Sequence, residues 1–561
     1  MRDRRLSELW TRRPDRGTLA HEAVVGLPAA IGSVPDGMAN ALLAGINPVF
    51  GLYASMAGRI VGSLSSSTQL AIVTTTGASA LAAGSALAGV SGSARGESVV
   101  LLTILAGGFM IAASFLRLGR YVRFVSNSVM VGFISGVAAN ILLGQIPDLT
   151  GAPAEGSTAI QKALSVVLHP GKIDPPTLLL GLIALSLITV ASRTRLRSLG
   201  ALLALAIPSA IVALGWVEGV ATVADEGAIP TGLPLPTLPH LSAFSLDLVV
   251  GAAAVAVIVL VQGAGVSETV PNPDGTRADT NRDFAAQGWA NVAAGMLSGQ
   301  PVGTSVGQTA LNVSADARSR WSGAWSGVWL ALILVAFSGL VGEVATTTLA
   351  AVLIFAAIGA IRPDVIALTL RTGATSQIAL ITTFVATLLL PVAVAVGIGV
   401  AMSLMLQANR EALDLTVVEL RPHGNGEIEV GPAPRALEPR SVTMLDVYGS
   451  LLFAGARTLE VRLPDPAGAG RCAVVLRLRG RTALSSTSVQ VLIRYAHRLS
   501  SEGGRLFLSG VEGELASRLE RIGGLERIGS VEMVRASNVL GESSRTAYRA
   551  ARDWIDEEAH G

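Results

Sequence analysis

From residue 22 to residue 405 the chain is a succession of apolar runs with brief polar breaks, and from residue 408 onward it has the composition of a soluble protein. No other feature constrains the fold as strongly. An α-helix needs roughly 20 apolar residues to cross a bilayer. Uninterrupted candidates lie at 97–116, 124–145, 175–192, 198–217, 246–263, 322–340 and 346–361, and the runs at 23–45 and 72–90 are broken by Gly, Pro or Thr. The chain is 15% charged, where a soluble domain has about 25%, and the deficit falls in the apolar part. The expected organisation is an N-terminal segment (1–21), a membrane domain (22–407), a linker (408–436) and a small soluble domain (437–561).

The arginines orient the spans. Arg117, Arg120 and Arg123 cluster, as do Arg193, Arg195 and Arg197, then Arg277 and Arg282, Arg318 and Arg320, and Arg362 and Arg371. The loop at 217–245 contains neither Lys nor Arg. The positive-inside rule then puts the arginine clusters in the cytoplasm and the Pro-rich loop outside. The assignments alternate if 22–407 makes fourteen crossings with both termini cytoplasmic, in a plasma-membrane protein. The N-terminal "MRDRRLSELWTRRPDR" has no short apolar core and reads as retained rather than as a signal peptide.

Fourteen divides into seven plus seven, and an odd repeat unit inserts its two copies in opposite orientations, the arrangement of inverted-repeat transporters. A faint echo supports it: "VSNSVMVGFISGVAANI" at 125–141 resembles "VATTTLAAVLIFAAIGAI" at 344–361. A net charge of +2 gives no reason to expect a nucleic-acid partner. The lone Cys472 cannot form an internal disulfide, and no Cys/His cluster suggests a metal or cofactor. In the soluble part, "CAVVLRLRG" and "RLFLSG" read as strands, and "SSTSVQVLIRYAHRLSSEGG" and "EGELASRLERIGG" as helices. Their alternation predicts a small α/β domain.

Within this frame one stretch stands out. "GQPVGTSVGQTALN" at 299–312 places small and uncharged polar residues between apolar spans. "PDGMANALLAGINPVFGLYAS" at 35–55, "VGFISGVAANILLGQIPDLTG" at 131–151 and "NRDFAAQGWANVAAGMLSGQPVGTSVGQTALN" at 281–312 resemble the first, fifth, and ninth-to-tenth span motifs of the SulP family of inorganic-anion transporters. Residues 437–558 are similar to the STAS domain that usually follows. The resemblance implies a 7+7 inverted repeat split into core and gate, a homodimer, and third and tenth spans that are half-helices meeting near mid-membrane. "IVTTTGASA" at 72–80 and "GTSVGQTA" would be their approaches, with Thr74, Thr75, Thr76, Thr304, Ser305, Val306, Gly307 and Gln308 as anion-binding candidates. A helix N-terminus offers unpaired N–H groups and the positive end of its dipole. The alternative is that these small residues only let helices pack closely.

The chain departs from the family pattern where charge is concerned. Many relatives carry Arg where this chain has Gln308 and an acid where it has Gln262; Gly307 replaces a common Ser, and the Gly-Pro before the third half-helix is missing. A carboxylate appears instead at Asp36, after the first-span proline, with Asn40 one turn on and therefore on the same helix face. An ionisable residue inside a span is a functional candidate by default. Asp36 is the expected coupling residue, through a proton or a sodium ion; the competing role is a structural partner of Arg59. Gln262 joins Gln308 among the anion-binding candidates, with a role as helix-to-helix hydrogen bonders the lesser alternative for both. In the STAS part, "TALSSTSVQVL" matches a phosphorylatable turn only in part: Ser485 and Ser486 are regulatory candidates, but capping of the next helix is the preferred reading.

The resulting expectation is a secondary transporter in the lipid bilayer, carrying sulfate first, bicarbonate or chloride next, by an elevator-like movement. An uncoupled anion conductance and a membrane sensor acting through the STAS domain are the alternatives. No nucleophile–base set or phosphate loop suggests an enzyme.

Overall fold

The computed structural model describes residues 16–557 apart from 91–92, 157, 195, 197–198, 227–231, 238, 240–243, 414, 424–426, 452, 482–483 and 523–530. Arg195, Arg197, most of the N-terminal segment and part of the 217–245 loop therefore lie outside the described residues. The chain forms two compact units, Met1–Ser403 and Leu404–Gly561.

The first unit is helical. The first repeat comprises α1 (Arg16–Leu43), α2 (Pro48–Ser65), a two-residue strand β1 (Val73–Thr74), α3 (Gly77–Ala86), α4 (Ser93–Phe115), α5 (Asn127–Gly144), α6 (Pro175–Ser192) and α7 (Gly200–Ala213). The second comprises α8 (Leu246–Thr269), α9 (Thr280–Met296), strand β2 (Gly303–Thr304), α10 (Val306–Ser314), α11 (Trp321–Val341), α12 (Thr346–Ala360), α13 (Ala374–Leu389) and α14 (Val392–Leu413). With the short helices Ile146–Thr150, Ala159–Leu168 and Pro363–Arg371 set aside, these are fourteen helical segments among the described residues, the number expected. Five stretches among the described residues are long and apolar enough to cross a bilayer unaided, including Asn127–Thr150 and Thr346–Arg371. In these two stretches α5 and α12 each run into a short extra helix, Ile146–Thr150 and Pro363–Arg371. They occupy the fifth place in their repeats, so the echo between 125–141 and 344–361 joins equivalent elements.

Packing sorts the helices into two bundles. Helix α9 lies against α4 and α2, α11 against α1 and α2, and α8 against α4 and α3; in the other bundle α5 lies against α13, and α6 against α7 and α12. Each bundle draws on both repeats, as a core and a gate would. The crossing of α1 and α2 is backbone to backbone: a Cβ at Gly51 would stand 1.9 Å from the Gly37 carbonyl oxygen. No larger residue fits there, and the contact fixes Asp36, the neighbour of Gly37, against α2. Pro35 inside α1 has no N–H to donate to the carbonyl of Ile31, which loosens the helix one residue before Asp36.

Arginines from three of the sequence clusters converge at one end of this unit. Arg282 Nε donates to the Ser65 carbonyl at 3.2 Å, and Arg320 Nη1 to those of Leu64 and Ser66 at 3.2 Å each. The Gly119 N–H, beside Arg117 and Arg120, donates to Asn281 Oδ1 at 3.0 Å. The cations thus sit on the C-terminal carbonyls of α2, where the helix dipole is negative. Between them the Asp283 carboxylate is buried and accepts six hydrogen bonds from Ser66, Ser67, Thr68 and Ser267.

The second unit is a six-stranded sheet of β3 (Thr416–Pro422), β4 (Ile428–Pro432), β5 (Val442–Tyr448), β6 (Ala473–Arg477), β7 (Arg505–Val511) and β8 (Val531–Arg535), in the order β4-β3-β5-β6-β7-β8. Strands β5 to β8 run parallel, and β3 is antiparallel to both of its neighbours. Helices α15 (Phe453–Arg462), α16 (Ser486–Ser501), α17 (Gly513–Ile522) and α18 (Glu542–Asp556) complete it. Alternation along β6 explains the layers: Val474 and Leu476 join the cluster under α15, α16 and α17, whereas Ala473 and Val475 face α18. The expected strands and helices of the α/β domain are all present. The stretch 408–436, expected as a linker, instead holds the last residues of α14 and strands β3 and β4. Its weak periodicity has a physical cause: β4 is an edge strand whose residues are mostly exposed, so no buried face patterns it.

Candidate functional site

Two half-helices meet head to head at a crossed pair of strands. Val73 pairs antiparallel with Thr304, and Thr74 with Gly303; the Ser305 N–H donates to the Ile72 carbonyl at 2.9 Å. Each strand leads directly into a half-helix. Thr76 caps α3 in a reciprocal capping box with Ser79, and Ser305 caps α10 by accepting from the Gln308 N–H at 3.3 Å. The N–H groups of Val306 and Gly307, at the start of α10, have no intrahelical partner. Gly307 is exposed, with open space where a Cβ would be, so its backbone is approachable.

The strand–helix junctions are held by amide side chains of neighbouring helices. Asn291 on α9 clamps one residue from both sides: its Nδ2 donates to the Val302 carbonyl at 2.8 Å, and its Oδ1 accepts from the Val302 N–H at 2.9 Å. Gln287, one turn earlier, accepts from the Thr304 N–H at 3.3 Å. Gln262 on α8 donates to the Thr304 carbonyl at 3.2 Å and accepts from Thr76 Oγ1 at 3.5 Å, tying the two half-helix entries together. Thr309 and Asn312 on α10 bind the backbone of Ile72 and Leu70. Non-helical backbone at membrane depth requires such satisfaction. Sequence reasoning missed Asn291 and Gln287; their polarity at i and i+4 within a span was the available signal.

The expected residues do not all turn the same way. Thr75 is buried and its hydroxyl pairs with Ser55 on α2 at 3.1 Å. Thr74 is buried in β1. Val306 is exposed, and Ser305 and Gln308 are half-buried. Asn40 donates to the Asp36 carbonyl at 2.8 Å and to its carboxylate at 3.2 Å, while the Asn40 Oδ1 is buried without a partner among the described residues. That oxygen lies 3.8 Å from where a Cβ of Gly77 would stand, at the first residue of α3.

Gln308 joins α10 to both α1 and α2. Its Nε2 donates to Asp36 Oδ2 at 3.2 Å, and its Oε1 accepts from Arg59 Nη2 at 2.7 Å. Arg59 therefore reaches Asp36 through an amide, and no Asp36–Arg59 ion pair within 4 Å occurs among the described residues. Arg59 also donates to Ser326 Oγ on α11 at 2.9 Å. The two neutral amides expected to stand for an acid and a base, Gln262 and Gln308, share no hydrogen bond among the described residues; each serves its own half of the site.

In the second unit Ser485 is the N-cap of α16: its Oγ accepts from the Ser488 N–H at 3.1 Å. Ser486 is exposed in the first turn.

Comparison with known proteins agrees with this architecture. The profile of the sulfate permease family matches residues 19–382, and that of the STAS domain matches 433–537. The probable sulfate transporter MT1781 of Mycobacterium tuberculosis is 29% identical over 349 residues, covering 61% of this chain and 62% of its own length. A Bacillus subtilis protein, YvdB, provisionally named a sulfate transporter, is 25% identical across 90% of this chain and 93% of its own. The structure of the murine Solute Carrier 26 family member A9 anion transporter in the inward-facing state superposes with a TM-score of 0.82 at 16% identity, over 97% of this chain and 93% of that one.

Proposed function

The chain belongs to the sulfate permease family, and from that premise we propose that it carries a small inorganic anion across the bilayer by moving the core bundle against the gate bundle. The family is one of transporters rather than enzymes. The observation that carries the proposal is the meeting of α3 and α10, whose N-termini converge over the β1–β2 pair beside exposed Gly307. An anion there gains backbone N–H groups and the positive ends of two helix dipoles. The binding set is Asp36, Asn40, Thr76, Gln262, Thr304, Ser305, Val306, Gly307 and Gln308, with Thr74 and Thr75 shaping the strand behind it.

Sulfate is the first substrate to test because it is named in the family and its relatives; bicarbonate and chloride follow. Asp36 is the coupling group. It lies at the site, hydrogen-bonded to Gln308 of α10, so a proton or sodium ion bound there is felt by the half-helix that holds the anion. We further propose a homodimer, as the family resemblance implies, in the plasma membrane, with both termini cytoplasmic as the arginine distribution predicts.

The experiment is uptake of labelled sulfate into proteoliposomes under an inward proton gradient, an inward sodium gradient or neither, for wild type and Asp36→Asn. Stimulation of uptake by one gradient in wild type that is absent in the variant, while gradient-independent uptake persists, supports coupling at Asp36. Driven uptake that survives in Asp36→Asn removes that role. Saturable flux indifferent to both gradients points to the uncoupled conductance, and the absence of flux for all three anions refutes the transporter reading.

A further inference from the structure

We infer that Arg59 is the positive charge of the anion site, neutralised by Asp36 through the Gln308 amide and released to the anion when Asp36 takes up a proton. The inference rests on the site reading above and names the residue that gives it its charge. Arg59 is completely buried, yet no carboxylate lies within 4 Å of it among the described residues. Its Nη atoms bind two neutral acceptors, Ser326 Oγ and Gln308 Oε1, and its Nε has no partner among the described residues. A buried cation without a direct counter-ion is costly, and a structural role for this side chain would be met as well by an uncharged one.

The amide between the two charges can adopt one orientation only. A guanidinium has donors and no acceptor, so it must face Oε1. That sends Nε2 to the other side, where Asp36 Oδ2 takes one of its two N–H groups. The second N–H remains for a ligand at the N-terminus of α10. Among the helices packed on α1 and α2, helices α3, α7, α10, α11 and α12 contain no titratable side chain, and Arg282 and Asp283 of α9 are engaged at the arginine-rich end, by the Ser65 carbonyl and by Ser66, Ser67, Thr68 and Ser267. Asp36 and Arg59 are therefore the charges the site has to work with.

While Asp36 is ionised, the trio Asp36–Gln308–Arg59 is neutral overall, and an anion arriving at α10 gains only dipoles. Proton uptake by Asp36 from water leaves a net positive charge, felt strongly in a low-dielectric interior. No side chain has to move for this. Proton and anion then bind cooperatively because each supplies what the other lacks.

The test measures the KM and maximal rate of sulfate uptake in proteoliposomes at acidic and neutral pH. In wild type, KM falls on acidification. Arg59→Gln removes the charge; its KM at acidic pH should rise by about tenfold or more, and its melting temperature should fall, because the shorter side chain leaves space in a fully buried site and Asp36 loses its neutralising charge. Arg59→Lys retains charge but cannot reproduce the two-armed contact, and it should stay within roughly threefold of wild type. Asp36→Asn should hold KM low at both pH values, and Asp36→Asn combined with Arg59→Gln should be as weak as Arg59→Gln alone. A wild-type KM in Arg59→Gln overturns the inference and leaves the transporter reading standing. So does Arg59→Lys as weak as Arg59→Gln, which would make Arg59 a tie between α2 and α11. If Arg59→Gln fails to fold, Asp36→Asn alone keeps the inference open to refutation: a KM that still falls on acidification in that variant overturns it. A wild type without saturable uptake of sulfate, bicarbonate or chloride overturns both readings at once.

Discussion

Asp283→Asn isolates what the buried carboxylate at the arginine-rich end contributes. The Asp283 Oδ1 accepts from Ser66 Oγ (2.8 Å), Ser67 N (2.6 Å), Ser67 Oγ (2.7 Å) and Thr68 N (3.2 Å); its Oδ2 accepts from Thr68 Oγ1 (2.6 Å) and Ser267 Oγ (2.8 Å). The donors are not equivalent. Hydroxyls can rotate and accept from an amide, but the N–H groups of Ser67 and Thr68 cannot reverse. Asparagine must therefore put its oxygen at the Oδ1 position and its nitrogen toward Thr68 and Ser267 Oγ. Four bonds then change from charge-assisted to neutral, a loss of about 1 kcal/mol each. Relief of burying a charge offsets part of that, leaving about 2 kcal/mol and a fall of a few degrees in melting temperature. Asp283→Ala leaves both N–H groups without an acceptor at about 1–3 kcal/mol each, and should melt lower still. The assay is thermal unfolding of the purified full-length protein in one detergent, followed by tryptophan fluorescence. Asp283→Asn melting with wild type, or Asp283→Ala melting above Asp283→Asn, would refute the argument that the carboxylate is the fixed acceptor joining α2, α8 and α9.

Asn291→Ala removes both hydrogen bonds to Val302 and leaves two buried backbone groups unpaired, about 1–3 kcal/mol each; sulfate uptake should fall by more than the loss of melting temperature explains, measured on the same preparation. Gly51→Ala forces α1 and α2 apart and should lower the melting temperature, whereas Gly307→Ala adds its methyl to open space and should leave melting unchanged while weakening anion binding, read by sulfate titration of both variants. Burial, with a smaller contribution from Glu502, raises the Cys472 thiol above its usual range. It should label slowly with a maleimide in the native protein and rapidly once the second unit unfolds, so labelling against denaturant reports that unit alone.

Much of the architecture is legible in the sequence because bilayer insertion is a matter of length and polarity. Runs such as 97–116 and 175–192 announce themselves, and the α/β alternation after residue 437 does likewise. The half-helices are legible only indirectly: "IVTTTGASA" and "GTSVGQTA" reveal small polar residues, but that 73–74 and 303–304 pair as strands depends on a partner more than two hundred residues away. The network around Gln308 was hidden for a related reason. Asp36, Arg59 and Gln308 stand on three different helices, and each looks like a plausible partner of the others until the crossing at Gly37 and Gly51 sets their distances. Strand β4 was missed because an exposed edge strand has no buried face to imprint a period, and β3 because its buried residues, Val417 and Leu420, are three apart rather than alternating.

The β1–β2 pair also has a consequence for how the chain is made. Residues 73 and 304 come from different repeats, so the ribosome delivers one strand long before the other exists. Until α10 arrives, β1 presents unpaired peptide groups at a depth where the bilayer offers no replacement. The first repeat must therefore wait in a provisional state, its third element shielded by α2 or still near the surface, and synthesis of "PVGTSVGQTA" completes it. Biogenesis of such a molecule is not seven helices finished and then seven more; the two halves mature together, at the late moment when the crossing closes.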